Sequence, residues 1–238
     1  EIGMVFMPKK MANALLLMSG VLAVATATGA EVDQAVLDRG KEVSALCIAC
    51  HMESGSGSSI EGFEYRPRLT GMNPDYMIHQ IQSFRDGTRV NASMKPFADL
   101  LTDEQMHDVS HYYASLPAVK ADDFEVIVSD DVLAHGKKLI YKGDWDRYIP
   151  ACVACHGVDA YGIGVSFPNI NGQNPAYLKK AINDWKEETR SNDPLELMSR
   201  VAKRLTEKDI EAVAAYLASQ PAVKEDEGGQ KCRKYLSY

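Results

Sequence analysis

The pentapeptide Cys-x-x-Cys-His occurs twice in this chain, at residues 47–51 and 152–156. Two thiols at this spacing can each form a thioether bond with a vinyl group at the edge of a porphyrin, and the adjacent imidazole can then bind the porphyrin iron. The sequence therefore predicts two covalently attached haem c groups. The predicted attachment residues are Cys47, Cys50, Cys152 and Cys155, and the predicted iron ligands are His51 and His156.

Cysteine pairs of this spacing also occur in zinc sites and in redox-active dithiols. A structural zinc site needs a second pair of ligands at matching spacing in the same domain, and neither half of the chain offers one. A dithiol does not need a histidine directly after the second cysteine, whereas both motifs have one. Haem attachment is the interpretation that accounts for the whole motif.

A sixth iron ligand separates electron-carrying haems, where it is commonly methionine, from haems with an open position for chemistry. Met198 is the only methionine after His156, so it is the only thioether candidate for the second haem. The first half of the chain leaves the choice open among several methionines. These are Met52, Met72, Met77, Met94 and Met106.

An internal repeat selects Met94 among these candidates. Residues 94–102 align with residues 198–206, and the methionines, an alanine, a leucine and a threonine coincide. Two copies of about a hundred residues, each with its own motif, are a tandem pair of domains and not a solenoid, whose repeats are shorter and more numerous. The other histidines lack repeated partners, and we interpret them as surface or helix residues. They are His79, His107, His111 and His135.

Each half is predicted to be all-α, a small helical bundle around one haem, with negligible β-structure. Asn73 and Asn174, each followed by proline, predict the start of a middle helix, and Thr102 and Thr206 predict the start of the last helix. The last helix is expected to pack on the first through an aromatic residue next to a glycine that allows close approach. The two pairs are Tyr112 with Gly40 and Tyr216 with Gly136.

The ends of the chain are predicted to lie outside the two domains. Residues 1–30 combine two lysines, an apolar stretch and small residues at a cleavage site, as in a secretory signal peptide. The alternative is an uncleaved membrane anchor. The remaining boundaries are an N-terminal domain over 31–120, a linker over 121–131, a C-terminal domain over 132–224 and a charged tail over 225–238. Cys232 is interpreted as an incidental thiol in that tail, with an intermolecular disulfide or lipid attachment as the alternative.

The net charge is −7 at pH 7, and both halves are acidic. Nucleic acid is therefore excluded as a partner class, because it binds basic surfaces. An acidic surface would steer a redox partner that presents a basic face, although the same charge also serves solubility.

The pattern resembles the cytochrome c4 family, whose members are two-haem class I cytochromes built from tandem domains. The second half carries the closer resemblance, through Tyr148-Ile149-Pro150-Ala151-Cys152, Arg190-Ser191-Asn192-Asp193 and Met198. The first half departs from it, since Met52 stands where the family has glycine after the haem histidine, and Thr70-Gly71-Met72 replaces a Gly-Gln ending. The resemblance implies that the Pro67 and Pro168 carbonyls hold the haem histidines. It also implies a pseudo-twofold packing of the domains that brings the haem propionate edges together.

The predicted function is single-electron transfer in the periplasm by an exported dihaem cytochrome, and membrane association is left open. The predicted partners are a membrane quinol-oxidising complex and a terminal oxidase or reductase. With histidine and methionine on both irons, no coordination position is left for a substrate. Two alternatives belong to other classes: the haem subunit of an enzyme complex, such as a flavocytochrome c sulfide dehydrogenase, and a dihaem oxidoreductase such as a peroxidase or a thiosulfate dehydrogenase.

Overall fold

The computed structural model describes residues 32–60, 64–119 and 125–223. Helices dominate these residues and form two successive sets in the same order, in agreement with the predicted all-α class and tandem arrangement. The N-terminal set is α1 (Gln34–Ser44), α2 (Ile48–His51), α3 (Pro74–Asp86), α4 (Met94–Leu100) and α5 (Asp103–Ser115). The C-terminal set is α6 (Asp130–Lys142), α7 (Val153–His156), α8 (Pro175–Lys186), α9 (Leu197–Ala202) and α10 (Glu207–Ser219), with 3-10 turns at Trp145–Arg147 and Val158–Ala160.

A small β-hairpin in the N-terminal domain departs from the expectation of negligible β-structure. Strand β1 (Ser58–Ile60) pairs antiparallel with β2 (Glu64–Arg66). The Ser58 hydroxyl donates a hydrogen bond of 2.6 Å to the Cys50 carbonyl and so fixes the hairpin to the first haem motif. Strands of three residues are too short for the alternation by which strands are recognised in a sequence.

The middle helices α3 and α8 begin where the two asparagine–proline pairs predicted. The Asn73 side chain accepts a hydrogen bond of 3.1 Å from the Tyr76 amide, and the Asn174 side chain accepts one of 3.0 Å from the Tyr177 amide. A proline occupies the first position of each helix, where its missing amide hydrogen costs nothing. The two helices therefore start at equivalent places in the repeat.

The last helices α5 and α10 both begin with a reciprocal capping box. Thr102 and Gln105 exchange side chain to backbone hydrogen bonds, as the sequence predicted. Thr206 and Asp209 do the same, although aspartate is shorter than the glutamate or glutamine usual at that position. The sequence predicted the helix start at Thr206 but not the full box, and Asp209 supplies the missing half with a bond of 2.8 Å from the Thr206 amide.

The first and last helices of each domain cross in close contact at the two predicted glycines. A Cβ atom on Gly40 would lie 2.1 Å from the Asp108 carbonyl oxygen and 2.7 Å from the Tyr112 Cβ. A Cβ atom on Gly136 would meet the backbone of α10 at the same 2.1 Å. The predicted packing is confirmed in both domains, because no larger residue fits at either crossing.

Several predicted boundaries fall on residues that are not described. The signal peptide 1–30 and the tail 225–238, including Cys232, lie outside the described residues, and the linker 121–131 lies partly outside. Residues 125–129 have no regular secondary structure, and α6 begins at Asp130. Both domains belong to one compact unit that starts at Val32. Within the described part of the chain, no helix has the length and apolarity needed to cross a membrane.

Candidate haem sites

The first haem motif lies on the short helix α2, with His51 as its last residue. The Pro67 carbonyl oxygen lies 2.9 Å from Nδ1 of His51, as the resemblance implied. A carbonyl oxygen can only accept, so Nδ1 carries the proton and Nε2 keeps the lone pair that can bind iron. Burial lowers the pKa of the His51 imidazole and favours the neutral form that binds metals.

The second motif repeats this arrangement on helix α7. The Pro168 carbonyl oxygen lies 2.9 Å from Nδ1 of His156, which is buried and is the last residue of the helix. Burial likewise lowers the pKa of the His156 imidazole. Both histidines are therefore held in the same tautomer by the same kind of backbone contact.

The first cysteine of each motif is a partly buried thiol. Burial raises the pKa of Cys47 to about 11 and that of Cys152 to about 12. Redox-active and metal-binding cysteines have depressed pKa values and are thiolates near neutral pH. All four motif cysteines are free of disulfide bonds. The raised pKa values of Cys47 and Cys152 differ from the depressed values typical of reactive dithiols and zinc ligands.

The two predicted methionines occupy corresponding places in the fold. Met94 is the first residue of α4 and Met198 the second residue of α9. A side-chain oxygen accepts from each backbone amide, Asn91 for Met94 at 2.8 Å and Asp193 for Met198 at 2.9 Å. Both methionines line the cavity that also contains the motif histidines. Met72 and Met77 line it too and belong to the N-terminal core, so the repeat register remains the reason for selecting Met94.

One continuous cavity of about 640 Å³ runs through both domains. All eight predicted residues line it: Cys47, Cys50, His51, Met94, Cys152, Cys155, His156 and Met198. Among the described residues, no group of three or more His, Cys, Asp or Glu side chains is arranged to hold a metal ion. A haem iron takes only two ligands from the protein in each domain, and the predicted pairs His51 with Met94 and His156 with Met198 all line this cavity.

The cavity also passes between two buried arginines, Arg89 and Arg190, one from each domain. Arg89 donates a hydrogen bond of 2.9 Å to the hydroxyl of Tyr177, and Arg190 donates one of 3.1 Å to the hydroxyl of Tyr76. Each arginine thus reaches the tyrosine of the opposite domain. The reciprocity agrees with the pseudo-twofold packing that the resemblance implied.

Backbone and side-chain hydrogen bonds extend this interface. Arg89 and Arg190 form an antiparallel bridge, flanked by bonds from the Val90 amide to the Thr189 carbonyl at 2.8 Å and from the Ser191 amide to the Thr88 carbonyl at 2.7 Å. A second contact joins Arg68 to Gln173, whose side-chain amide accepts from the Arg68 amide at 2.8 Å and donates to its carbonyl at 3.0 Å. The domain interface is therefore polar and specific.

The sequence patterns described above predict no role for the arginine pair. Its signal was present in the repeat, since Thr88-Arg89-Val90-Asn91 aligns with Thr189-Arg190-Ser191-Asn192. Of the histidines interpreted as surface or helix residues, His79 lies on α3 and lines the cavity, where its Nε2 donates to the Asn192 carbonyl at 3.1 Å. His107 and His135 contact buried aspartates, Asp108 and Asp209.

Comparison with known proteins identifies the family. The cytochrome c family model matches residues 37–117 and again residues 133–221. The chain is 41% identical over 179 residues to a thiosulfate dehydrogenase electron acceptor of Thiomonas intermedia, covering 75% of this chain and 80% of the relative. It is 32% identical over 211 residues to a cytochrome c4 of Pseudomonas aeruginosa, covering 87% and 97%.

Two solved structures share the fold. A thiosulfate dehydrogenase (TsdBA) of Marichromatium purpuratum superposes with a TM-score of 0.69 at 34% identity, over 78% of this chain but only 40% of that longer chain. A reduced cytochrome c4 of Pseudomonas stutzeri superposes with a TM-score of 0.68 at 28% identity, over 77% of this chain and 98% of that chain. The repeated motifs, the shared cavity and these relatives together make the chain a member of the cytochrome c family, a dihaem electron-transfer protein of the cytochrome c4 type.

Proposed function

We propose that this cytochrome accepts single electrons from a thiosulfate-oxidising enzyme and passes them to a terminal oxidase or reductase. The observation that carries the proposal is the continuous cavity that joins the two haem sites, because it would place two redox centres next to each other within one protein. The relatives named as thiosulfate dehydrogenase electron acceptors favour this donor over the quinol-oxidising complex expected from the sequence. When bound, each haem supplies a one-electron couple between ferric and ferrous iron.

The proposed iron ligands are His51 with Met94 and His156 with Met198. The hydrogen bonds that His51 and His156 donate to the Pro67 and Pro168 carbonyls orient the imidazoles and keep Nε2 available. The starts of α4 and α9 place Met94 and Met198 at the wall of the same cavity. With a histidine and a methionine of the protein bound to each haem iron, electron transfer would take place without any bond between iron and substrate.

We propose a periplasmic location. The support is the signal-peptide pattern over residues 1–30, together with the attachment of c-type haem outside the bacterial cytoplasm. An exported carrier would meet its donor and acceptor in the same compartment.

The test is reduction of the oxidised holoprotein by a purified thiosulfate dehydrogenase, followed by stopped-flow absorbance. We expect both haems to become ferrous only when thiosulfate and the enzyme are both present. Enzyme without thiosulfate and thiosulfate without enzyme are the controls. Reduction by a quinol-oxidising complex, with none by the thiosulfate system, would contradict the proposed donor while leaving the carrier function intact.

A second candidate is a permanent haem subunit of the thiosulfate-oxidising enzyme. The observation that favours it is the match to 40% of a thiosulfate dehydrogenase (TsdBA) chain, which makes a lasting association with such an enzyme a concrete alternative. Size-exclusion chromatography of the mixed proteins at micromolar concentration separates the two candidates. Co-elution favours the subunit, and separate elution with rapid electron exchange favours the mobile carrier.

A further inference from the structure

Arg89 and Arg190 form a buried cationic cluster between the two haem sites. The side chains are 8% and 7% exposed. Both donate to the same oxygen, Oε1 of Gln80, at 3.0 Å from Arg89 and 2.7 Å from Arg190. The two positive groups are therefore held next to each other by one neutral acceptor.

Each guanidinium also stacks on an aromatic ring of its own domain. The Cζ atom of Arg89 lies 4.6 Å from the ring centre of Phe84, and that of Arg190 lies 4.5 Å from the ring centre of Trp185. Stacking fixes the plane of a guanidinium and leaves its edge for hydrogen bonds. Both guanidinium groups are thus held in a fixed orientation by ring stacking and hydrogen bonds.

No carboxylate in the described part of the chain forms an ion pair with either arginine, although both are charged groups removed from water. Burial, and next the positive charge of Arg89, lower the pKa of Arg190, whereas for Arg89 burial is outweighed by Tyr177 and Tyr76, which raise its pKa. Buried charges in proteins are normally paired, because desolvation and like-charge repulsion would otherwise oppose folding. An anionic group would balance the two buried charges, and both arginines line the cavity in which it could bind.

The bound cofactor can supply that anion. A haem attached through one edge carries two propionate carboxylates on another edge, and arginine is the side chain best suited to bind a carboxylate through two parallel hydrogen bonds. The hydroxyls of Tyr76 and Tyr177, which accept from the arginines, each keep a hydrogen to donate to a carboxylate. The cluster lines the cavity that extends to both motifs.

We propose that Arg89 and Arg190 form one shared binding site for propionate carboxylates of both haems, and that this site couples the two reduction potentials. A positive charge near a haem favours its reduced state, which carries one negative charge more. Because the two arginines and Gln80 act as one unit across the interface, removing either charge affects both haems. They are positioning residues, outside the iron coordination itself.

The experiment is a spectroelectrochemical titration of the holoproteins Arg89→Gln and Arg190→Gln. We expect each substitution to lower both midpoint potentials, with the equilibrium constant for reduction falling about tenfold at the nearer haem, or about 59 mV for one electron. Arg89→Lys and Arg190→Lys keep the positive charge, so both midpoint potentials should stay close to those of the native protein. Arg204→Gln is the matched control, because this exposed arginine makes the same charge change away from the cavity.

A shift confined to the haem of the substituted domain would overturn the coupling, and unchanged potentials would overturn the site. Inorganic phosphate added at constant ionic strength distinguishes the anion source. Potentials of the native protein that do not change with phosphate support the covalently held propionates, whereas potentials that change with it indicate a free anion and overturn the assignment. Unaltered methionine–iron absorption bands in the variants show that the fold and the ligands are retained.

Discussion

The two domains share the contact that orients the haem histidine and differ in some of the side chains around it. His51 and His156 each bond to a proline carbonyl at 2.9 Å. On the last helix, however, the cavity is lined by Tyr113 in one domain and by Leu217 at the corresponding position in the other. A backbone carbonyl is present whatever the side chain, so the contact to the histidine repeats in both domains. The surrounding side chains differ and can set the reduction potential of each haem separately.

The domains also place their extra residues on opposite sides of the motif. Cys152 follows Gly136 by 16 residues, whereas Cys47 follows Gly40 by 7. The longer segment folds as a 3-10 turn closed by a bridge between Asp144 and Ile149, and it exposes Trp145 and Tyr148 to solvent.

In the N-terminal domain the extra residues instead lie after the motif, in the β-hairpin. Ser59 of this hairpin accepts a hydrogen bond of 2.6 Å from Asn174, the capping residue of α8 in the other domain. One insertion therefore faces outward and the other supports the interface between the domains.

The largest expected effect comes from removing a proposed methionine ligand in one domain at a time. Met94→Ala and Met198→Ala should each abolish half of the methionine–iron band at the red edge of the ferric spectrum. Each should also lower the potential of one haem by about 0.1–0.3 V, part of the ~0.8 V range that axial ligands span.

Met106→Ala is the control for the methionine variants, because this residue is buried and does not line the cavity. If Met94→Ala kept both equivalents of the band and Met72→Ala or Met77→Ala lost one, the repeat-based choice of ligand would be wrong in the N-terminal domain alone.

A smaller effect is expected at the residue after each haem histidine. Met52 and Gly157 both adopt positive φ, at 62° and 78°, a conformation that favours glycine. Gly157→Ala should destabilise the protein by about 2–4 kcal/mol, because a Cβ there would lie 2.7 Å from the Gly162 carbonyl oxygen. Met52→Gly should stabilise it by about 1 kcal/mol through relief of strain. Chemical unfolding of the holoproteins measures both, and destabilisation by Met52→Gly would show that the methionine side chain contributes packing.

The smallest effect concerns stability in acid, for which each domain has one buried aspartate that accepts hydrogen bonds from an arginine and a histidine. Buried Asp209 accepts from Arg147 and His135 at 2.7 Å, and buried Asp108 accepts from Arg39 at 2.6 Å. Burial opposes ionisation of Asp209, but the bonds from Arg147, Thr206 and His135 outweigh it and hold its pKa below the usual range. Burial also opposes ionisation of Asp108, and the bonds from Arg39 and His107 lower its pKa.

A folded-state pKa below the unfolded value of about 3.9 stabilises the protein above that pH, and this stabilisation is lost on acidification. Asp209→Asn should therefore destabilise the protein by about 1–3 kcal/mol at pH 7 and flatten the pH dependence of the unfolding free energy below pH ~4. Asp108→Asn should flatten it less, since the lowering of the pKa is the stronger at Asp209. If the unfolding free energy fell equally steeply with decreasing pH in both variants, the two aspartates would contribute equally to acid stability.

Much of the fold could be predicted from local signals. The helix starts at Asn73, Asn174, Thr102 and Thr206 depend on hydrogen bonds within four residues, so their pattern is readable in the chain. The hairpin at Ser58 was missed because its strands are too short to show alternation. The second capping box was missed because Asp209 is not the residue type usually associated with it.

The sequence by itself predicted two haems and their attachment residues, because the Cys-x-x-Cys-His spacing suits thioether formation and iron binding. It also narrowed the sixth ligand to Met198 in the C-terminal domain, where no other methionine follows the motif. Only the tertiary structure decided that Arg89 and Arg190 meet at Gln80. The arginines are about a hundred residues apart, and although the repeat aligns them, their contact depends on how the two domains pack.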